Sequence, residues 1–223
     1  MTYQDLFNGN SYRKPRLYAE FVLFYIVSPI SIALFLPASS ILPALAGFTL
    51  VGLFLLHLTP YFSWGQLHFG WDHWHWRELA VFGAGMAALC FAVIMLTRPD
   101  DAFGLLLENP WFLLVIWVFY PFVSALPQEL LFRALFYRRY MDILPNSRMV
   151  HFLNAAIFSF AHLMYWSWVV ALMTFVGSLV FSWAYLRRQS FVYAVILHGI
   201  SGNIIFLMGL GVYFYMGNVE KPF

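Results

Sequence analysis

Charged residues are scarce in this chain. Of its 223 residues only 10% are Asp, Glu, Lys or Arg, whereas 62% are hydrophobic and 21% are aromatic. A mean hydropathy of +0.75 excludes an ordinary soluble domain, and a net charge of +2 is too small to indicate a nucleic-acid partner. A single cysteine, Cys90, excludes a disulfide framework and a thiolate metal cluster.

Apolar runs close to the length needed to cross a bilayer, about 20 residues, occupy most of the sequence. We predict an all-α polytopic bundle of about 7–8 transmembrane helices, forming one integral membrane domain over residues 1–223 and contacting membrane lipids. Only helices and closed barrels satisfy the backbone in lipid, and the alternating pattern of barrel strands is absent. The stretch Gln128–Tyr140 is either an eighth helix or the second half of a broken fourth one. The seven runs are Leu17–Leu36, Ser40–Leu58, Leu79–Leu96, Trp111–Leu126, Val150–Tyr165, Trp168–Leu186 and Phe191–Gly211.

Basic residues cluster at alternate ends of these runs. Positive residues favour the cytoplasmic side, so the sequence predicts a cytoplasmic N-terminus, and a bacterial cytoplasmic (inner) membrane is the simplest location. Arg98 is the exception, and acidic residues accompany it. The clustered residues are Arg13, Lys14 and Arg16, then Arg77, then Arg138, Arg139 and Arg148, then Arg187 and Arg188.

Two prolines, Pro121 and Pro127, precede the one strongly polar segment inside an apolar run. Each removes a backbone N–H and disfavours a straight helix. We therefore expect the chain to break just before Glu129, so that a helix N-terminus stabilises the carboxylate.

Three ionisable side chains at membrane depth are candidates for chemistry, because such groups are costly in lipid and usually mark function. Glu129 lies four residues before Arg133 and can pair with it on one helix face. Glu129, His162 and His198 all lie roughly 14–21 Å from the nearest basic anchor residues, at ~1.5 Å per residue. They therefore share a depth.

Several kinds of chemistry suit a carboxylate and two imidazoles. Glu129 could activate water while His198 and Asn203 stabilise an oxyanion. Alternatively, Glu129, His162 and His198 could bind zinc. The same residues could instead form structural hydrogen bonds between helices, or relay protons in a transporter.

A second polar cluster lies in a tryptophan-rich loop. An interfacial loop is favoured over a metal site, because Trp gathers at membrane interfaces and residues two apart do not share a helix face. The cluster consists of His57, His68, Asp72, His73 and His75, with Trp64, Trp71, Trp74 and Trp76 beside them.

Three motifs in order resemble the CPBP intramembrane protease family, which includes Rce1-type CAAX prenyl endopeptidases. They are Gln128-Glu129-x-x-x-Arg133, Phe158-x-x-x-His162, and His198 followed by Asn203, all within residues 111–211. The resemblance implies an intramembrane endopeptidase that hydrolyses a peptide or membrane-protein substrate, including a lipidated one.

The resemblance also implies roles for these residues. Glu129 would be the general base and His162 would position water, while His198 and Asn203 would bind the carbonyl oxygen. Arg133 would keep Glu129 ionised and Gln128 would donate to the substrate, with Phe158 in support. The family usually has a water-activating glutamate where this chain has Gln128, so an inactive relative that binds a membrane partner is the alternative.

Overall fold

The computed structural model describes residues 14–68, 70, 75–145, 148–215 and 219. Within these ranges every regular element is a helix and none is a strand, which confirms the all-α prediction. We label the apolar helices in chain order: α1 (Lys14–Phe35), α2 (Ile41–His57), α3 (Trp76–Thr97), α4 (Pro110–Arg139), α5 (Met149–Ala161), α6 (Trp168–Leu186) and α7 (Phe191–Leu207). Short helices lie at Gly104–Glu108 and Gly211–Phe214.

Four of these helices, α1, α3, α4 and α6, are long and apolar enough to cross a membrane. A helix of 22 residues, such as α1 or α3, is about 33 Å long at ~1.5 Å per residue, which exceeds the hydrocarbon thickness. The other three apolar helices, α2, α5 and α7, are shorter. The chain therefore has four candidate spans among its described residues, fewer than the 7–8 predicted.

Local sequence signals fix several helix ends. The Asn109 side chain accepts a hydrogen bond from the Phe112 amide, and Pro110 follows it at the first helical position of α4. Ser167 caps α6 and Ser190 caps α7 in the same manner. Serine and asparagine are favoured here because their side-chain oxygens bond the free N–H groups of the first turn.

The predicted helix break before Glu129 is wrong. Helix α4 runs through both prolines to Arg139, with wider π-helical turns at Pro121–Ala125 and Leu130–Leu135. These turns change the hydrogen-bond register, so a missing N–H is tolerated without ending the helix. Residues 128–140 are thus mostly the second half of one long helix, and no helix N-terminus is available to stabilise Glu129.

The second half of α4 lies at the centre of the molecule. Its residues 131–137 are all buried, and they pack against side chains of α1, α5 and α6. The first half is different, since large apolar residues such as Trp111 and Phe122 are exposed there. Exposed apolar surface of this extent is expected where a helix faces lipid.

Buried polar contacts hold α1 against this central segment. The Arg139 guanidinium is fully buried and pairs with Glu20 at 2.8 Å, and it donates to the Leu55 carbonyl of α2. The Tyr25 hydroxyl donates to the Leu131 carbonyl at 2.7 Å. These contacts fix the position of α4 against α1 and α2.

Candidate active site

Glu129 is the centre of a buried charged group. Its Oε1 accepts a hydrogen bond from His198 Nδ1 at 2.9 Å, and its Oε2 lies 3.1 Å from Arg133 Nε. Both Glu129 and Arg133 are fully buried. The sequence-predicted pair Glu129–Arg133 is therefore formed, and His198 joins it from α7.

Polar side chains of α5 and α6 hold the Arg133 guanidinium in place. Its two terminal nitrogens donate to Asn154 Oδ1 at 2.5 Å and to Ser178 Oγ at 3.0 Å. Asn154 also donates to the Phe132 carbonyl and accepts from Ser182. A buried charge is tolerated when its hydrogen-bonding capacity is used in this way. The network orients Arg133, and through it Glu129.

His198 presents its second nitrogen away from Glu129. Because a carboxylate can only accept, Nδ1 carries the proton of that bond and the neutral ring keeps a lone pair on Nε2. The Tyr120 hydroxyl lies 3.4 Å from this Nε2. The imidazole also stacks on Phe181, with ring centres 4.7 Å apart and planes 10° apart. The Glu129 carboxylate and these contacts hold the ring in one orientation.

His162 ends helix α5 close to the same group. Its Nδ1 donates to the Phe158 carbonyl at 2.8 Å, which leaves Nε2 as the nitrogen with a lone pair. The Phe158 ring packs against both His162 and His198, with centres 4.7 and 5.7 Å apart, and lies 5.2 Å from the Arg133 guanidinium carbon. Phe158 thus connects three candidate residues.

A cavity of about 690 Å³ lies beside this group. Gln128, His162 and His198 line it together with Tyr120, whereas Glu129 is buried behind them. The Gln128 amide donates to Ser124 Oγ at 2.9 Å, and its buried carbonyl oxygen has no partner among the described residues. The Glu129 carboxylate is therefore separated from the cavity by the side chains that line it.

The structure does not bring Asn203 to His198. Its side chain donates to the Trp117 carbonyl of α4 at 3.2 Å, and the Trp117 indole donates back to the Asn203 carbonyl at 3.1 Å. Helix α7 is continuous in this region. Asn203 follows His198 by five residues, so its side chain projects ~140° around the helix axis from that of His198. The predicted partnership of Asn203 and His198 is corrected accordingly.

Zinc binding by Glu129, His162 and His198 stays a prediction. Within the described ranges no three His, Cys, Asp or Glu residues are grouped so that they could hold a metal ion. In the Trp-rich loop, Asp72 and His73 lie outside the described residues, as do Trp71 and Trp74. Of the others, His57 stacks on Trp64 and His75 contacts Arg188.

A protein-family model matches the part of the chain that carries these side chains. The family model for type II CAAX prenyl endopeptidase Rce1-like proteins matches residues 110–204. Over this segment the chain is similar to the Rce1-like family. No curated protein and no solved structure matches the chain.

The Rce1-like segment begins with α4 and ends within α7, so it contains every candidate residue described above. Rce1-like proteins are a protease family, and together with the apolar helices this makes the chain an integral membrane protein. Sequence reasoning missed Tyr120, Asn154 and Ser178. The available signal was weak: each is a polar residue in an otherwise apolar helix.

Proposed function

We propose that this Rce1-like protein is an intramembrane endopeptidase. The observation that carries the proposal is the buried Glu129–His198 pair, with a His198 nitrogen directed towards a cavity that is lined mainly by apolar side chains. A carboxylate that orients an imidazole is the arrangement that lets a histidine act as a general base. The apolar walls suit a hydrophobic peptide segment, whether or not it is lipidated.

The proposed reaction uses His198 as the base. Its Nε2 takes a proton from a water in the cavity while the water oxygen attacks the peptide carbonyl. Glu129 stabilises the imidazolium that forms, and Arg133 keeps the carboxylate oriented. The imidazolium then returns the proton to the departing amine. His162 has a lone pair on Nε2 at the cavity wall, and we assign it to positioning the water.

The first experiment compares protein termini in membranes of cells that express the natural chain or its His198→Ala variant. The matched control is His151→Ala, which removes an imidazole from α5 at a position that does not line the cavity. We expect new termini with the natural chain and with the control, but not with His198→Ala. Identical profiles from all three proteins, at equal membrane levels, would contradict peptidase activity.

A second candidate function is suggested by Gln128, which lines the cavity where an acid would be expected in an active relative. In this alternative the protein binds a peptide or a membrane protein without cleaving it. The Gln128→Glu variant separates the two. Cleavage by the natural chain favours the peptidase, whereas cleavage only after Gln128→Glu favours a binding protein that has lost its activity.

We also propose seven crossings with a cytoplasmic N-terminus in a bacterial cytoplasmic membrane. Contacts between helix ends support it. On one side Ser190 donates to the Gly70 carbonyl and Tyr18 lies close to Ile143, and on the other Phe103 donates to the Met208 carbonyl. The helix ends on the side of Ser190 and Tyr18 carry most of the arginines.

The cavity extends from His198 towards the side with few arginines, where Ser39, Phe112 and Tyr215 line it. We therefore propose that substrate reaches the site from that side or from the lipid. Cysteines placed at Ser39 and at Arg148, in a Cys90→Ala background, test this topology. An impermeant maleimide applied to intact cells should label position 39 and not position 148, and the reverse result would contradict it.

A further inference from the structure

Tyr120 lies beside His198 but has no role in the reaction proposed above. It lies in the first half of α4 and lines the cavity. Its ring packs edge-on against His198, with centres 6.1 Å apart, and against Phe206 at 5.9 Å. Its hydroxyl lies 3.4 Å from His198 Nε2, the nitrogen assigned to take a proton from water. The phenol oxygen is thus close to the point where the water would attack the peptide carbonyl.

A glycine in α7 makes this position possible. A Cβ atom at Gly202 would lie 2.0 Å from Tyr120 Cε1, and one at Gly199 would lie 3.3 Å from Pro121. No side chain can therefore occupy position 202 while the ring stays where it is. Because Gly202 is four residues after His198, it lies on the same face of α7 as the imidazole. The space beside His198 that a residue of α7 would normally fill is occupied by Tyr120.

The group predicted to assist at the carbonyl oxygen is directed elsewhere. The Asn203 amide is bonded to the Trp117 carbonyl, so it does not reach the neighbourhood of His198 Nε2. A hydrolase with a base on one side of the reacting carbonyl still needs a donor for the oxygen on which negative charge develops. Tyr120 lines the cavity, and its hydroxyl lies beside His198 Nε2, the proposed base. This hydroxyl is therefore in a position to be that donor.

We propose that the Tyr120 hydroxyl is the hydrogen-bond donor that stabilises the oxyanion during peptide hydrolysis. The proposal rests on the proposed function. In the resting state the hydroxyl donates to His198 Nε2, and the attacking water displaces it from that nitrogen. The freed O–H then lies within a few ångströms of the water and donates to the carbonyl oxygen of the bound peptide.

The bond changes are those of ordinary amide hydrolysis. The water oxygen forms a bond to the carbonyl carbon, the C=O π pair moves to oxygen, and His198 Nε2 takes the water proton. The oxyanion pair then re-forms the C=O bond as the C–N bond breaks, and His198 gives its proton to the amine nitrogen. Tyr120 keeps its own proton throughout, so no further reactant is needed.

The test uses the substrate identified by the comparison of termini, with full-length protein in detergent or liposomes. Tyr120→Phe removes only the hydroxyl and is expected to lower kcat by ~100- to 1000-fold, the usual effect of losing one oxyanion donor. KM should change less than about threefold, because the ground-state carbonyl does not depend on this donor. The matched control is Tyr18→Phe, which removes an exposed tyrosine hydroxyl beside the Ile143 carbonyl and should leave both constants unchanged.

A binding measurement distinguishes an oxyanion donor from a structural residue. A phosphinate analogue of the cleaved sequence imitates the tetrahedral oxyanion. Its affinity should fall in Tyr120→Phe by the same factor as kcat/KM, whereas the affinity of the product peptide should not change. If Tyr120→Phe does not fold, Tyr120→Met fills similar space without a donor and takes its place.

The outcomes separate this inference from the proposed function. Full activity or unchanged phosphinate affinity in Tyr120→Phe, with a cleaving natural chain, overturns the role of Tyr120 and leaves the peptidase intact. Equal losses of phosphinate and product affinity would assign Tyr120 to general binding and also overturn it. If the natural chain and His198→Ala give identical termini, the proposed function itself fails.

Discussion

Removing the Arg133 guanidinium is expected to destabilise the protein strongly. Arg133→Met keeps the aliphatic stem but leaves the fully buried Glu129 carboxylate without its cation, and it removes one hydrogen-bond donor from each of Asn154 and Ser178. Breaking a buried ion pair in this way costs ~3–5 kcal/mol. At roughly 2–4 °C per kcal/mol for a chain of this size, the melting temperature should fall by about 6–20 °C.

The matched control is Arg188→Met. Arg188 also pairs with a glutamate, Glu78, but both side chains are 35% exposed. Partly exposed pairs contribute only ~0–1 kcal/mol, so the melting temperature should fall by no more than about 4 °C. Both variants are measured by intrinsic fluorescence during heating in one detergent, since nine tryptophans provide the signal.

A double variant tests the cause. Glu129→Gln combined with Arg133→Met removes the uncompensated charge, so it should recover a large part of the loss seen in Arg133→Met alone. Equal losses in Arg133→Met and Arg188→Met would refute the reasoning, because buried and exposed pairs would then contribute equally. A double variant as unstable as Arg133→Met would show that lost packing, not the unpaired charge, is responsible.

Further predictions concern the cavity and its supports. Asn203→Ala should change kcat on the identified substrate by less than about threefold, since the amide bonds a carbonyl of α4; a loss of ~100-fold, as for an oxyanion donor, would contradict its placement. Gly202→Ala should lower kcat by displacing the Tyr120 ring, and adding it to Tyr120→Ala should cause little further loss; additive losses would contradict this coupling. Tyr25→Phe should lower the unfolding free energy by ~0.5–1.5 kcal/mol, because it removes the hydrogen bond from the buried hydroxyl to the Leu131 carbonyl; chemical denaturation in mixed micelles measures this, and an unchanged midpoint would refute it. Cleavage should persist after treatment with a strong chelator, because in the proposed reaction His198 and not a bound metal ion activates the water; loss of activity that zinc restores would contradict this.

The comparison of sequence with structure is clearest along α4. The apolar run and the Glu129–Arg133 spacing predicted a buried pair on one helix face, and this pair is present. The prolines suggested a break that the structure does not have, because π-helical turns absorb them. Whether a helix widens into a π-helical turn depends on how it packs against its neighbours. Local sequence rules consider only the backbone N–H that proline lacks.

The motif residues were predictable as members of a group, but their contacts were not. His162 and His198 both contact Phe158 as neighbours of one site. Asn203 is directed to α4, one consequence of a continuous α7. A shift of one residue along a helix changes direction by ~100°, so spacing decides contacts only where the helix geometry is already known.

Sequence alone determined that the chain is helical and apolar and that it is similar to Rce1-like proteins, and it determined which ionisable residues lie inside the apolar segments. These properties follow from composition and from spacing within one helix. Tertiary structure decided that His198 bonds Glu129 across 69 positions of sequence, that Asn154 holds Arg133, and that Tyr120 fills the space beside Gly202. Such contacts depend on the rotation and separation of packed helices, which are set by the fit of many side chains together and not by any local pattern.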